Sequence, residues 1–366
     1  REIVPAFNAY IYFRVGYWLA ERCARLLYRV RVGFADNERL AKIDSEATVV
    51  FVMNHRSNMD YILTAFLAAE QTTLSYAVGE WARIWPLQQL IRAMGAFFVR
   101  RNSKNPLYRR VLERYVHMAT EEGVCQAVFP EGGLSRDGKL QVPKLGILDY
   151  MLRGFRTDAR RDIVFVPVGI NYDRTLEDRS LVRRLDAAAE HRSRWFVIRT
   201  RLRFILHNLW LMMRSRWQRF GYACVNFGTP LSARAYCQAH NVDFSRLSQD
   251  ARFAAVETLA RELMGHVEGL IPVLPVALVA RAVLEVPEGE SEFDLKARVY
   301  RLIETLREQG AVVMVPARTR AHTVDNAFNM LKLRHLIAES GGQYRANPDS
   351  LDVLAYYANS LAQWRD

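Results

Sequence analysis

Long uninterrupted apolar runs are missing from this sequence. The nearest approach, Leu270 to Leu284, is broken by Pro272, Pro275 and Arg281. It falls short of the roughly 18 residues that a membrane-spanning helix needs. Cysteine is scarce, with four residues at positions 23, 125, 224 and 237 and no Cys-x-x-Cys pair. That spacing implies neither a disulfide framework nor a structural zinc site, and it fits a reducing compartment. Cys125 sits in an apolar run and reads as a small core residue. Histidines do not cluster at metal-ligand spacing, so neither a metal nor a tightly held cofactor is expected. No Gly-x-Ser-x-Gly elbow occurs, which disfavours a serine nucleophile and a covalent intermediate. Internal repeats and low-complexity tracts are lacking as well.

Acidic residues are the minority. Lys and Arg number 51 against 39 Asp and Glu, a net charge of +12 over 366 residues. Such a balance favours polyanionic partners: nucleic acid, an anionic lipid surface or phosphorylated ligands. Half the residues are hydrophobic, enough for one large core or two smaller ones.

Periodicity divides the chain. Residues 5–31 read as an amphipathic helix, with Phe7, Tyr10, Phe13, Trp18 and Leu26 interleaved with Arg14, Arg22, Arg25, Arg29 and Arg31. Such a helix suits a membrane interface or the body of the domain equally. Apolar runs at Thr48 to Asn54, Ser75 to Val78, Phe97 to Arg100, Val124 to Phe129 and Ile163 to Asn171 read as strands. Helices are expected between them, one of them capped by Asn105 with Pro106 at its first position and ending before Gly123. This alternation predicts an α/β domain, a mixed sheet flanked by helices.

His191 to Tyr222 differs, with eight arginines, no acid and interspersed Trp and Phe. It reads as a basic helical insertion facing an anionic membrane, with a solvated face as the plain alternative. A last strand is expected over Val225 to Phe227. Helices follow at Leu247–Gly269, Phe293–Gln309 and Asn326–Glu339, and Leu351 to Trp364 should dock on the body. The expected division is an N-terminal amphipathic segment (1–45), a catalytic domain (46–240) and a mostly helical accessory part (241–366).

Chemistry concentrates at two strand ends. Val49 to Met53 leads into Asn54-His55-Arg56-Ser57-Asn58-Met59-Asp60, and Cys125 to Pro130 leads into Glu131-Gly132-Gly133-Leu134-Ser135-Arg136. Ligands of open α/β sheets sit at such carboxyl edges. Five residues of helix turn through about 500°, so His55 and Asp60 cannot share one helical face. They meet if His55 lies on the loop and Asp60 in the first helical turn, where its carboxylate orients the imidazole as a general base. A helix cap beside a surface His is the bland alternative.

The stretch Asn54 to Tyr61 resembles the first block of the glycerolipid acyltransferases, most closely the glycerol-3-phosphate acyltransferases. Gly95 to Arg101, Phe129 to Arg136 and Val166 to Asp173 resemble the second, third and fourth blocks, in the family's order. Weaker similarity runs on through Asn226 to Leu231, Pro272 to Leu284 and Tyr356 to Ser360. The resemblance implies acyl transfer from acyl-CoA or acyl carrier protein to the 1-hydroxyl of glycerol 3-phosphate, with His55 as base and Asp60 as its orienter. It also implies that Pro167 to Asn171 shape the acyl-donor side.

Two positions depart from the pattern. Asn58 stands where many relatives have His, and Leu134 where many have Arg. The second removes a phosphate-facing cation, which keeps lysophosphatidate and dihydroxyacetone phosphate open as acceptors.

For the acceptor's phosphate the candidates are Arg100 and Arg101, Arg136 with Ser135, and more weakly Arg56, since guanidinium matches phosphate bidentately; Lys144 joins them because the resemblance places a family lysine there. Gly132 and Gly133 let backbone N–H groups approach an anion. Glu131 would either bond acceptor hydroxyls or hold Arg136. The expected setting is the cytoplasmic face of a membrane, peripheral or monotopic, with no nucleic acid bound. The competing non-enzyme reading is a basic scaffold for membrane or nucleic acid, in which the four blocks have no role.

Overall fold

The computed structural model describes residues 3–68, 74–79, 87–100, 103, 105–183 and 220–364. Arg101 and nearly all of the basic 191–222 segment lie outside these residues. Among those described, no helix is long and apolar enough to cross a membrane.

Eight strands form the main sheet: β1 (Arg29–Ala35), β2 (Thr48–Met53), β3 (Ser75–Gly79), β4 (Phe97–Val99), β5 (Gln126–Val128), β6 (Ile163–Tyr172), β7 (Tyr222–Phe227) and β8 (Leu231–Ser232). Their order is β1-β7-β6-β2-β5-β3-β4, with β8 also pairing β6. From β6 to β4 the neighbours are parallel, whereas β7 and β8 run antiparallel to β6. The expected mixed α/β sheet is therefore present.

All ten residues of β6 are buried, which is why it reads as an unbroken apolar run and not an alternating one. Phe165 faces a core made with Val50, Val52, Leu148, Leu152, Val256 and Leu263. Val166, Val168 and Ile170 face the opposite core, with Met53, Leu63, Tyr76 and Val225.

Local signals set several helix starts. Asn105 accepts from Tyr108 N at 3.1 Å and Pro106 opens the helix Pro106–Glu121. Ser248 and Ser291 cap Gln249–Leu270 and Glu292–Glu308 in the same way. Each such cap stabilises its helix by about 1 kcal/mol.

Two expectations are corrected. The N-terminal helix ends at Leu27, and residues 29–35 become β1, paired with β7. Buried Tyr28 makes the transition, its hydroxyl donating to the Arg174 carbonyl at 2.6 Å. The helix packs on the body through Ala20 and Ala24, against Phe66, and leaves Tyr10 and Trp18 71% and 56% exposed. The helix thus packs on the domain and keeps an aromatic and basic outer face.

Second, residues 337–339 are not helical. The helix Arg320–Leu333 stops before His335, which has φ +55°, and β10 (Ile337–Ser340) turns at Gly341-Gly342 into β11 (Gln343–Ala346). With β9 (Glu290–Ser291) these make a small antiparallel sheet.

The helix Gln249–Leu270 packs on the main sheet through Val256, Leu259, Leu263 and Val267. A separate core begins at Val273 and centres on the buried helix Pro275–Leu284, wrapped by Leu295, Val299, Ile303, Phe328, Leu331 and Leu354.

At Gly169, β6 passes the end of the helix Gln249–Leu270 so closely that a Cβ would overlap the Leu270 carbonyl group. Both neighbours are backbone and cannot swing away. Gly169→Ala is expected to destabilise the fold by roughly 3 kcal/mol, readable as a lower urea midpoint at unchanged slope.

Candidate active site

Asn54 follows directly on β2, and its side chain extends the sheet. Its Nδ2 donates to the Ile170 carbonyl at 2.9 Å and its Oδ1 accepts from Ile170 N at 2.7 Å. The chain then leaves the sheet, and Met59–Ala68 begins as a helix with Asp60 in its first turn.

Asp60 is fully buried. Its Oδ2 accepts from His55 Nδ1 at 2.8 Å, from Arg56 N at 2.7 Å and from Ser57 N at 3.0 Å. Its Oδ1 accepts from the Tyr172 hydroxyl at 2.6 Å. With Nδ1–H donated to Asp60, the lone pair of His55 lies on Nε2. That nitrogen is 3.5 Å from the Tyr61 hydroxyl, and the ring packs against Phe129 at 4.2 Å between centroids.

Glu131 joins the two loops. Its Oε1 accepts from His55 N at 2.6 Å and its Oε2 from Gln141 N at 3.0 Å. In return Ser135 N donates to the His55 carbonyl at 2.9 Å. Glu131 therefore faces backbone donors, neither a cleft nor Arg136. Burial pushes its carboxyl up to about 7, against the lowering by those two N–H bonds and Arg56.

His55 opens on a cleft of about 360 Å³. Phe129, Pro130 and Gly132 form one side. Arg100, Arg109 and Lys144 bring cations to it, while Val99, Leu112 and Leu148 are apolar. Gly132 has φ +65°, and a Cβ there would meet the Lys144 side chain at 2.7 Å, so glycine keeps this lysine close to the loop. A second cavity of about 320 Å³ is almost wholly apolar, lined by Leu19, Ala20, Met59, Ile62, Leu90 and Met94 among others. Tyr61 and Val78 line both spaces.

Of the sequence candidates, His55, Arg100, Gly132 and Lys144 share the cleft, with Asp60 directly behind His55. Gly133 is not among the residues lining it. Ser135 is buried and shapes its own loop, donating to the Lys139 carbonyl and accepting from Gly138 N. Arg136 is exposed and outside the cleft.

Arg56 lies outside the cleft. Only 2% exposed, it points away from the cleft, donating to the Gly138 carbonyl with its guanidinium 5.0 Å over the Tyr356 ring. Leu134 packs against the C-terminal core. Pro167 to Asn171 are buried within β6 and line neither cavity. Sequence reasoning missed Arg109, Tyr61, Glu177 and Tyr172. Glu177 accepts from the Ser57 hydroxyl at 2.7 Å and from Asn58 Nδ2 at 2.9 Å, fixing the turn before Asp60. No local pattern marks Arg109 or Glu177; the fold alone brings them here.

Comparison with known proteins gives similarities over most of the chain. A family model described as "Acyltransferase" matches residues 31–171, and one described as "Glycerol-3-phosphate acyltransferase C-terminal region" matches 208–364. A glycerol-3-phosphate acyltransferase of Pseudomonas paraeruginosa is 31% identical over 338 residues, 88% of this chain and 39% of the relative. One from Xanthomonas campestris pv. campestris is 28% identical over 373 residues, 98% of this chain and 41% of the relative. The chain thus spans about two fifths of the length of these curated relatives. The crystal structure of a 1-acyl-sn-glycerophosphate acyltransferase from Thermotoga maritima aligns at 18% identity, with a TM-score of 0.37 over 69% of this chain and 78% of that one.

The raised carboxyl of Glu131 has a signed consequence. A folded-state pKa of about 7 against an ordinary 4.5 means that stability linked to this group is fully present below about 4.5 and lost as pH rises through 7. Asp173, pushed up to about 6 by burial, acts in the same direction. Urea midpoints are expected to fall between about pH 5 and pH 8, and Glu131→Gln should make that fall shallower.

Proposed function

The chain belongs to the glycerol-3-phosphate acyltransferase family, and on that premise we propose that it transfers a fatty acyl group from a thioester to the 1-hydroxyl of glycerol 3-phosphate, giving lysophosphatidate. The observation that carries this reading is the placement of His55 Nε2 in one cleft with Arg100, Arg109 and Lys144. Acceptor phosphate on those cations would present a carbon-bound hydroxyl to the imidazole. Guanidinium groups bind phosphate through charge-assisted bonds.

His55 then removes the hydroxyl proton as the oxygen attacks the thioester carbonyl carbon. Asp60 stabilises the imidazolium that forms. The tetrahedral intermediate collapses, the carbon–sulfur bond breaks, and the imidazolium returns its proton to the departing thiolate. Products are lysophosphatidate and free thiol, with His55 neutral again. Transfer is direct, without an acyl-enzyme. The donor is acyl-CoA or acyl carrier protein, and no metal or resident cofactor takes part.

The apolar cavity across Tyr61 is the natural place for the acyl chain, since its walls offer almost no polar surface. It is walled by Leu19, Ala20 and Cys23 of the N-terminal helix. The outer face of that helix exposes Tyr10, Phe13, Trp18 and Leu26 beside Arg14, Arg22 and Arg25. Aromatic residues among cations suit an anionic lipid surface. We therefore place the chain on the cytoplasmic face of a membrane, lying on it, where an insoluble product can leave directly into lipid.

The test supplies purified protein with anionic vesicles, labelled glycerol 3-phosphate and a long-chain acyl-CoA. Wild type is expected to make lysophosphatidate and His55→Ala to lose on the order of 10³-fold in rate. Arg109→Ala should raise KM for glycerol 3-phosphate by roughly 10-fold or more, as loss of a charged hydrogen bond does, with a smaller change in kcat. Product from lysophosphatidate or dihydroxyacetone phosphate in preference would reassign the acceptor. Absence of product with every acceptor and with acyl carrier protein, alongside intact vesicle binding, would bring back the scaffold reading.

A further inference from the structure

The bonds around Asp60 are lopsided. Its Oδ2 collects three donors: His55 Nδ1, Arg56 N and Ser57 N. Its Oδ1 takes the Tyr172 hydroxyl, at 2.6 Å. Gripped at Oδ2 alone, a carboxylate can still pivot about its Cβ–Cγ bond, and the oxygen that faces the imidazole moves with it. A bond at the second oxygen removes that freedom. It also pairs an oxygen that would otherwise be buried without a donor, since Asp60 has no exposed surface.

Tyr172 is well placed for this. It is the last residue of β6, on the strand whose Ile170 holds Asn54 by two hydrogen bonds. One strand therefore secures the catalytic loop on both flanks, at Asn54 before His55 and at Asp60 after it. The ring of Tyr172 is 2% exposed and packs against Tyr28 at 5.2 Å. Burial, then the neighbouring Asp60 charge, push its hydroxyl well above 10, so it remains a protonated donor at any working pH.

We propose that Tyr172 is a positioning residue of the acyl-transfer reaction, fixing the carboxylate plane of Asp60 and, through it, the tautomer and orientation of His55. This rests on the acid–base role given to His55 above. It gives the fourth sequence block a task at the His–Asp pair, in place of the acyl-donor contact expected for it.

Tyr172→Phe keeps the ring and removes the oxygen. The expected result is a fall in kcat of between about 10- and 100-fold, the size of a slightly misplaced catalytic group, with KM for both substrates within about twofold. In an Asp60→Asn background the same change should cost almost nothing further, because its route runs through Asp60. Independently of turnover, ¹⁵N spectra of the His55 ring should show a single tautomer in wild type and a mixture in Tyr172→Phe.

An unchanged kcat together with an unchanged ring spectrum overturns the proposal. So does a loss that is additive with Asp60→Asn and tracks a lower melting temperature, which would make Tyr172 merely structural. Should the variant not fold, wild type and Asp60→Asn decide: a slowly exchanging hydroxyl proton of Tyr172 must be present in the first and lost in the second. If His55→Ala proves harmless, the functional reading fails, and the ring spectrum still tells whether Tyr172 sets the tautomer.

Discussion

The pairing of β2 with β6 is the constraint on which the site depends. Met53 lies opposite Val168 in a parallel register, so the two strands run toward the same edge, with β6 continuing to Tyr172. The Asn54 side chain adds one more rung to that ladder, and the chain leaves the sheet only after it. His55 therefore starts from a fixed point. Asp60 comes back to it within a single turn because Ser57 and Asn58 are tied to Glu177. A slip of one residue between β2 and β6 would exchange the two faces of a strand that is buried on both, and would carry His55 out of the cleft.

The second loop depends on the first through backbone contacts. Glu131 accepts from the amide of His55, and Ser135 donates to its carbonyl. A carboxylate used in this way is costly to bury, which its raised pKa expresses. The cost is offset by making the position of the imidazole a property of two loops and not one. Lys144 is held by the same loop, its own amide donating to the Pro130 carbonyl at 2.8 Å, so base and cation are set relative to each other by short backbone routes.

The parts of the site legible in the sequence are those that lie close together in it. His55 and Asp60 are five positions apart, and the loop-to-helix change between them has its own signature. Asn105 and Pro106 mark a helix start for equally local reasons. Arg56 misled because adjacency in a loop is not adjacency in space: successive side chains diverge, and His55 faces the cleft while Arg56 faces Tyr356. Arg109 carried no signal, and Tyr172, although inside the fourth block, carried none for its contact with Asp60, because topology places them, one by a helix crossing over the sheet and the other by a strand 112 positions from its partner. The stretch after Leu333 kept its apolar spacing through Leu336 and Ile337 and so read as more helix. The Gly341-Gly342 pair was the overlooked sign of a hairpin.

Gly138 sits with φ +85° against the Tyr356 backbone, with no room for a side chain. Arg56 lies over the ring of the same tyrosine, and Asn359 Nδ2 donates to the Asp137 carbonyl at 2.8 Å. Although two separate family models divide this chain, its halves are therefore not interchangeable modules. Recombination between relatives would have to inherit the residues at 56, 138 and 356 as one set. Drift at one of them is tolerable only with compensation at the others, so these three positions are expected to change in concert over evolutionary time.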